Sequence, residues 1–305
     1  MSRARIELSP KLTLGCVVFL GALAYGPAAA QGLTPGHSSG RADLIIGQGL
    51  HGALLGAEIV EAADIYGPEA EVTWPLAGAG VGILAGALLG HIDMGHAMMV
   101  NHGSALGLLH ASVLSNWATR QDEYLYQDDL LANMIVGQLV GTAMGALVGG
   151  GVAHESGRIA MAGSVAMWTG ILGALGRDMA GEPVSHPGYL AAVDLGYVAG
   201  YLLWDELHWS RTQVSLVDLF GLAALAFSLP AFDNTNTVVV SATGNVDPVL
   251  ETQKRDAAWR FGITAGGVGL AGLAAAWLHE RGHPAATVAW VPDARGGRMA
   301  LGWQW

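Results

Sequence analysis

Glycine recurs at every fourth position in two stretches of this chain, and this spacing limits the possible folds more than any other sequence feature. The first stretch, AGAGVGILAGALLGH, begins at Ala77, and the second, VGQLVGTAMGALVGG, begins at Val136. The repeated glycines are Gly78, Gly82, Gly86 and Gly90 in the first stretch and Gly137, Gly141, Gly145 and Gly149 in the second. Because positions four apart share one helix face, each stretch predicts a helix with one face bare of side chains.

A bare helix face needs another backbone against it. Each glycine inside a helix costs about 1 kcal/mol relative to alanine, and in water a helix face is normally held by large apolar side chains. In lipid, helices associate by close packing through small residues. We therefore interpret these glycines as helix-packing surfaces in a membrane. Other small-residue faces are Gly52/Gly56, Gly103/Gly107/Ala111/Ser115, Ala166/Gly170/Ala174, Ala192/Gly196/Gly200 and Ala258/Gly262/Gly266.

Eight apolar stretches without strict alternation predict helices rather than strands. They are 44–60, 74–90, 97–118, 130–153, 159–175, 189–204, 214–232 and 257–278. Prolines, among them Pro75, are expected at helix edges. The prediction is an all-α fold of about eight Gly/Ala-rich helices in repeated antiparallel hairpins, with a small C-terminal β-hairpin.

The hairpins look like copies of one unit. Similar segments begin at Gly40, Gly95, Gly157, Gly188 and Thr212, and most run from one small residue to another about twelve positions on. An internal repeat of this kind indicates stacked copies of one supersecondary unit.

Three polar residues occupy the same place in this repeat. Asn101, Asp194 and Asp218 each lie six positions after the start of their unit. A carboxylate within a membrane is a candidate functional group. We favour a structural role, in which each side chain bonds to a neighbouring helix, because an active site need not recur in every copy.

The N-terminus has the pattern of a signal peptide: a basic region, an apolar region containing Cys16, and the small residues Ala28 and Ala30 before a cleavage site near Gln31. The alternative is an uncleaved first helix. The predicted organisation is a signal peptide (1–30), an exported N-terminal linker (31–43), a helical repeat domain (44–280) and a C-terminal β-hairpin (281–305). Since Cys16 is the only cysteine, the exported chain would form no internal disulfide.

Composition excludes one class of partner and leaves the membrane question open. The net charge of -11 argues against binding to nucleic acid. Charged residues are 13% of the chain, against about 25% in an average soluble domain. Five tryptophans near the ends of apolar stretches are typical of membrane interfaces: Trp74, Trp117, Trp204, Trp259 and Trp277. Against a membrane, several stretches are shorter than about 20 residues, mean hydropathy is only +0.40, and the stretches contain polar residues such as Gln48 and Gln138.

One run of the sequence could bind a metal. His91, Asp93 and His96 fall close together in a short connection, and histidine and carboxylate are zinc ligands. Their spacing matches neither a zinc finger nor the HExxH motif, so these residues are weak candidates. We expect no cofactor.

The repeated G-x-x-x-G helices resemble the glycine-zipper proteins of bacterial envelopes. They are also similar to a loose set of uncharacterised exported proteins with Ala/Gly-rich helical repeats and a short C-terminal hairpin. The resemblance covers roughly residues 40–305; it implies an envelope location and tight helix packing, and it carries over no catalytic residue.

These observations favour a non-enzymatic exported envelope membrane protein, acting as a structural scaffold or assembling into an oligomeric pore. Its expected partners are the lipid bilayer and either further copies of itself or other envelope proteins. The alternatives are a soluble or peripheral periplasmic interaction module and a metal-dependent membrane hydrolase.

Overall fold

The computed structural model describes residues 40–63, 65, 67, 69–88, 92–121, 127–151, 155–180, 187–228, 248–280, 287–291 and 298–302. The predicted signal peptide and the cleavage site near Gln31 lie outside the described residues. Within these ranges the chain forms eight helices, which confirms the all-α prediction for this part of the fold. They are α1 (Arg41–Ala62), α2 (Ala70–Leu88), α3 (Met94–Gln121), α4 (Gln127–Gly151), α5 (Ser156–Ala180), α6 (Pro187–Leu207), α7 (Arg211–Ser228) and α8 (Pro248–Glu280).

Two short strands follow the helices. They are β1 (Thr287–Val291) and β2 (Arg298–Gly302), which pair antiparallel with Thr287 opposite Gly302. Both strands fall inside the range 281–305, where the sequence predicts a β-hairpin.

Local side chains explain where two of the helices begin. Ser210 Oγ accepts a hydrogen bond from the Gln213 amide at 3.3 Å, and Gln213 Oε1 accepts one from the Ser210 amide at 2.8 Å. This reciprocal pair is a capping box, and it fixes the start of α7. Asp93 Oδ1 accepts a hydrogen bond from the His96 amide at 2.7 Å and caps α3 in the same position.

One proline does not lie at a helix edge, where the sequence analysis expects it. Pro75 is inside α2 rather than at its edge, because α2 begins at Ala70. Pro75 is the sixth residue of α2, so it has no amide to donate to the Glu71 carbonyl, and α2 continues past it without this hydrogen bond. The prediction of edge prolines was therefore wrong for Pro75, and the helix extends four residues before the apolar stretch that predicted it.

Consecutive helices pack as four hairpins, α1–α2, α3–α4, α5–α6 and α7–α8. The first helices of the hairpins also contact one another, α1 with α3, α3 with α5, and α5 with α7. We call α1, α3, α5 and α7 the inner helices and α2, α4, α6 and α8 the outer helices. At one end, Arg211 of α7 reaches Asp43 of α1, so the inner helices meet in a closed cycle there.

The inner helices run in the same direction. Gln48 of α1 bonds to Asn101 of α3, and Gly40, eight residues earlier, bonds to Ile92. Asp218 of α7 bonds to Ser164 and Trp168 of α5, while Arg211 near the start of α7 lies beside Met94 near the start of α3. The N-terminal ends of the four inner helices therefore share one end of the bundle. Four of the five repeat units, those from Gly40, Gly95, Gly157 and Thr212, begin these four helices.

The glycine faces of α1 and α2 touch each other along their backbones. A Cβ added to Gly52 would overlap the carbonyl oxygen of Gly78, and a Cβ added to Gly78 would overlap that of Gly52. A Cβ on Gly82 would overlap the Gln48 carbonyl, and one on Gly86 would press on the Ile45 backbone. The two backbones are in contact at a distance that only glycine permits.

The α3–α4 hairpin repeats this arrangement. Gly141 and Gly103 each lie against the carbonyl oxygen of the other, and Gly107 and Gly137 do the same. Gly145 lies against the Met99 carbonyl one turn further on. Gly149 meets the His96 ring, whereas Gly90 lies outside the described residues.

The later hairpins use glycine differently. In α5–α6, Gly200 lies against the Met161 carbonyl and Gly196 lies against the Thr169 side chain. In α8, Gly262 and Gly266 have nothing within 4 Å of an added Cβ, although the sequence assigns them to the same kind of face. The glycine face of α8 is thus uncovered within the described structure.

Large apolar side chains cover the outside of the bundle. Leu88 of α2 is 84% exposed and Leu147 of α4 is 72% exposed, and Leu195 of α6 and Leu270 of α8 are similarly open. Among the residues that the structure describes, four helices are long enough and apolar enough to cross a membrane: α2, Leu130–Gly150 of α4, α5, and Arg255–Glu280 of α8. In α2 only 11% of the apolar window is buried in the bundle. Such an exterior is compatible with a membrane protein.

Candidate functional site: the polar interior

Several polar side chains that interrupt the apolar stretches lie inside the bundle and bond to neighbouring helices. Gln48 Nε2 donates to Asn101 Oδ1 at 3.0 Å, and Asn101 Nδ2 donates to the Asp43 carbonyl at 3.1 Å. Gln138 Nε2 donates to the His51 carbonyl at 2.9 Å and is 1% exposed. These bonds join α1, α3 and α4, so these polar residues do not oppose a membrane location.

A buried ion pair lies at the N-terminal end of the inner helices. Arg211 Nη1 is 2.5 Å from Asp43 Oδ2, and the two side chains are 7% and 3% exposed. Arg211 Nη1 also lies 2.8 Å from Met94 Sδ. Because loss of either partner would leave the other charge buried and uncompensated, substitution of one of them is expected to weaken the contact between α1 and α7.

Asp218 is the centre of a second buried polar cluster. Its Oδ1 accepts hydrogen bonds from Ser164 Oγ at 2.5 Å and from Trp168 Nε1 at 2.8 Å. Asp218 belongs to α7 and both donors belong to α5, so the cluster connects two neighbouring hairpins. Trp168, whose mid-stretch position does not fit an interfacial tryptophan, is 6% exposed and serves this contact.

The three repeat-position residues have two different environments. Asn101 and Asp218 lie on inner helices and are 8% and 4% exposed. Asp194 lies on the outer helix α6, where its side chain is 52% exposed and its Oδ2 is 3.1 Å from His110 Nε2 of α3. All three therefore contact the preceding hairpin, but only Asn101 and Asp218 do so in the interior.

The weak metal candidates have other partners where the structure describes them. Asp93 caps α3, and His96 Nε2 donates to the Ala146 carbonyl at 3.0 Å. His91 lies outside the described residues. Across the described ranges, no group of three or more His, Cys, Asp or Glu side chains could hold a metal ion.

A cavity of about 340 Å³ lies between the inner helices. Asp43, Asn101, Arg211 and Asp218 contribute to its wall toward one end, while Arg260 of α8 belongs to the wall at the other. The cavity therefore connects both buried polar clusters to the far end of the bundle.

Sequence reasoning missed several residues of this interior. Asp43 falls in the predicted linker, and Arg211 and Ser164 were not selected. The available signal was weak: Arg211 is a single charge immediately before an apolar repeat unit, and Asp43 is an acid inside another such unit. Their pairing joins positions 168 apart in sequence, which local pattern does not reveal.

Comparisons with known proteins assign no family to this arrangement. No family model, no curated protein and no solved structure matches the chain.

Proposed function

We propose that this chain is a non-enzymatic integral membrane protein of the cell envelope, exported by its N-terminal segment and acting as a structural scaffold. The observation that carries the proposal is the distribution of polarity. Leu88, Leu147 and Leu270 face outward, whereas Gln138, Arg211 and Asp218 are buried and paired. A soluble bundle would keep such leucine side chains away from the solvent, so this exterior suits a bundle surrounded by lipid.

The positions of three tryptophans support this location. Trp259 and Trp277 of α8 are 58% and 51% exposed, and eighteen positions of helix separate them by about 27 Å. The hydrocarbon core of a bilayer is about 30 Å thick. Trp74 lies beside Gly56 near the end of α1, at the same end of the bundle as Trp259. Tryptophans at two levels one bilayer apart are typical of interfacial belts.

The alternatives have less support. A soluble or peripheral module would expose the leucine side chains of α2, α4 and α8 to water. A metal-dependent hydrolase would need ligands beyond Asp93 and His96, whose bonds are to the backbone of the bundle.

Extraction tests the membrane location. We expect the protein expressed from its full sequence to stay in the membrane pellet after alkaline carbonate and to dissolve only in detergent. Release into the carbonate supernatant would favour the soluble alternative. The oligomeric pore is tested separately by dye leakage from liposomes carrying the purified protein, where sealed vesicles at high protein loading count against it.

A further inference from the structure

The interior cavity is long and narrow. Its lining on α5 runs from Ala160 to Asp178, a helix length of about 27 Å at 1.5 Å per residue. With a volume of about 340 Å³, the cavity is at the small end of the range for ligand pockets. A compact ligand would occupy only part of this length, whereas an extended chain fits it.

The middle of the cavity is apolar. Side chains that line it between the two ends are Leu106, Leu109, Met167, Ile171, Val193 and Leu225. Tyr189 also lines this section, and its hydroxyl donates to the Gly170 carbonyl at 3.0 Å. Water needs two to four polar partners in a cavity, and these side chains do not offer them. The section therefore suits a hydrocarbon chain.

The two ends differ in what they offer a head group. Toward the N-terminal end of the inner helices, Asp43 pairs with Arg211, and Asp218 already accepts bonds from Ser164 and Trp168. At the opposite end, Arg260 Nε is buried and has no hydrogen-bond partner in the described structure. Asp178 lines the same end, and its carboxylate interacts electrostatically with Arg260. Arg260 is half-buried, and a guanidinium N–H that is shielded from water without an acceptor favours an anion beside it.

We propose that this cavity binds a single-chain anionic amphiphile, with its hydrocarbon chain between α3, α5 and α7 and its anionic head group on Arg260. Arginine suits this role because its guanidinium group stays charged and pairs with carboxylate or phosphate. This proposal adds a bound ligand to the proposed scaffold, but the argument for the ligand comes from the cavity alone. A failure of ligand binding would leave the membrane location untouched.

Equilibrium binding of radiolabelled palmitate to the protein in amphipol, a carrier without free acyl chains, tests the head group. We expect saturable binding of one palmitate per chain. Arg260→Gln should weaken palmitate binding by about tenfold or more, the loss expected for a charge-assisted hydrogen bond, and leave binding of neutral 1-hexadecanol unchanged. The matched control is Arg255→Gln, because Arg255 lies on the same helix and is exposed. This variant should bind palmitate and 1-hexadecanol as the wild type does.

A second pair of variants tests the position of the chain. Leu109→Trp should fill the apolar section and abolish binding of palmitate and hexadecanol together, whereas Leu139→Trp, on the exposed face of α4, should not. Competition by unlabelled palmitate or by lysophosphatidylglycerol supports the proposal and tells a free fatty acid from a lipid-derived ligand. Non-saturable binding, or wild-type binding by both Arg260→Gln and Leu109→Trp, would overturn it.

Discussion

At the scale of single residues, side chains at the same position of the sequence repeat have different environments in the fold. Asp194 and Asp218 share one repeat position, but Asp218 lies on an inner helix and Asp194 on an outer one. The repeat predicts that both contact a neighbouring helix, and it contains no information on which helix is enclosed. Enclosure depends on how the hairpins assemble, which is set by contacts between distant parts of the chain.

This difference predicts unequal effects of removing the two carboxylates. Asp218→Ala leaves Ser164 Oγ and Trp168 Nε1 without their acceptor in a buried setting, and we expect it to lower the free energy of unfolding by about 1–3 kcal/mol. Asp194→Ala removes an exposed contact to His110 and should lower the free energy of unfolding by less than about 1 kcal/mol. Thermal unfolding of both variants in the same detergent checks this, and equal losses would contradict the assigned environments.

At the scale of helices, the sequence predicts the elements better than their contacts. All eight apolar stretches correspond to helices, because the length of an apolar stretch and its lack of alternation are local properties. A bare glycine face is also visible locally, but the backbone that covers it is not. Gly78 lies against Gly52, whereas a Cβ added to Gly262 would meet nothing within 4 Å in the described structure, although both glycines belong to four-residue spacings.

The covered and uncovered glycines of α2 give a matched test of backbone contact. Gly82→Ala places a Cβ against the Gln48 carbonyl and should destabilise the fold by about 1–3 kcal/mol through overpacking. Gly80 lies two positions earlier, and a Cβ added there would have nothing within 4 Å. Gly80→Ala should therefore stabilise the fold by up to about 1 kcal/mol through helix propensity. Gly82→Leu and Gly141→Leu should each lower the free energy of unfolding by more than alanine at the same position.

Circular dichroism during thermal unfolding measures these variants. Opposite signs for Gly82→Ala and Gly80→Ala would show that α1 and α2 touch through their backbones. Unfolding temperatures that shift together, or full tolerance of leucine at Gly82 and Gly141, would mean that these helices are not in close contact.

At the scale of the whole molecule, the outward-facing surface decides which solvent the bundle needs. Leu270, between Trp259 and Trp277 on α8, is 71% exposed, and about 17 Å of helix separate it from the level of Trp259. If the bundle crosses a bilayer, Leu270 faces the middle of the hydrocarbon core. His279, two residues after Trp277 and also exposed, would lie at the polar boundary.

The single native cysteine makes this geometry measurable. In a Cys16→Ser background, Leu270→Cys in membranes should react with a charged maleimide at least about tenfold more slowly than His279→Cys, because thiolate formation and the charged reagent are both disfavoured in hydrocarbon. Detergent denaturation should make the two rates similar. A bundle surrounded by water would expose both positions, and rapid labelling of Leu270→Cys in the native state would therefore place α8 outside the lipid.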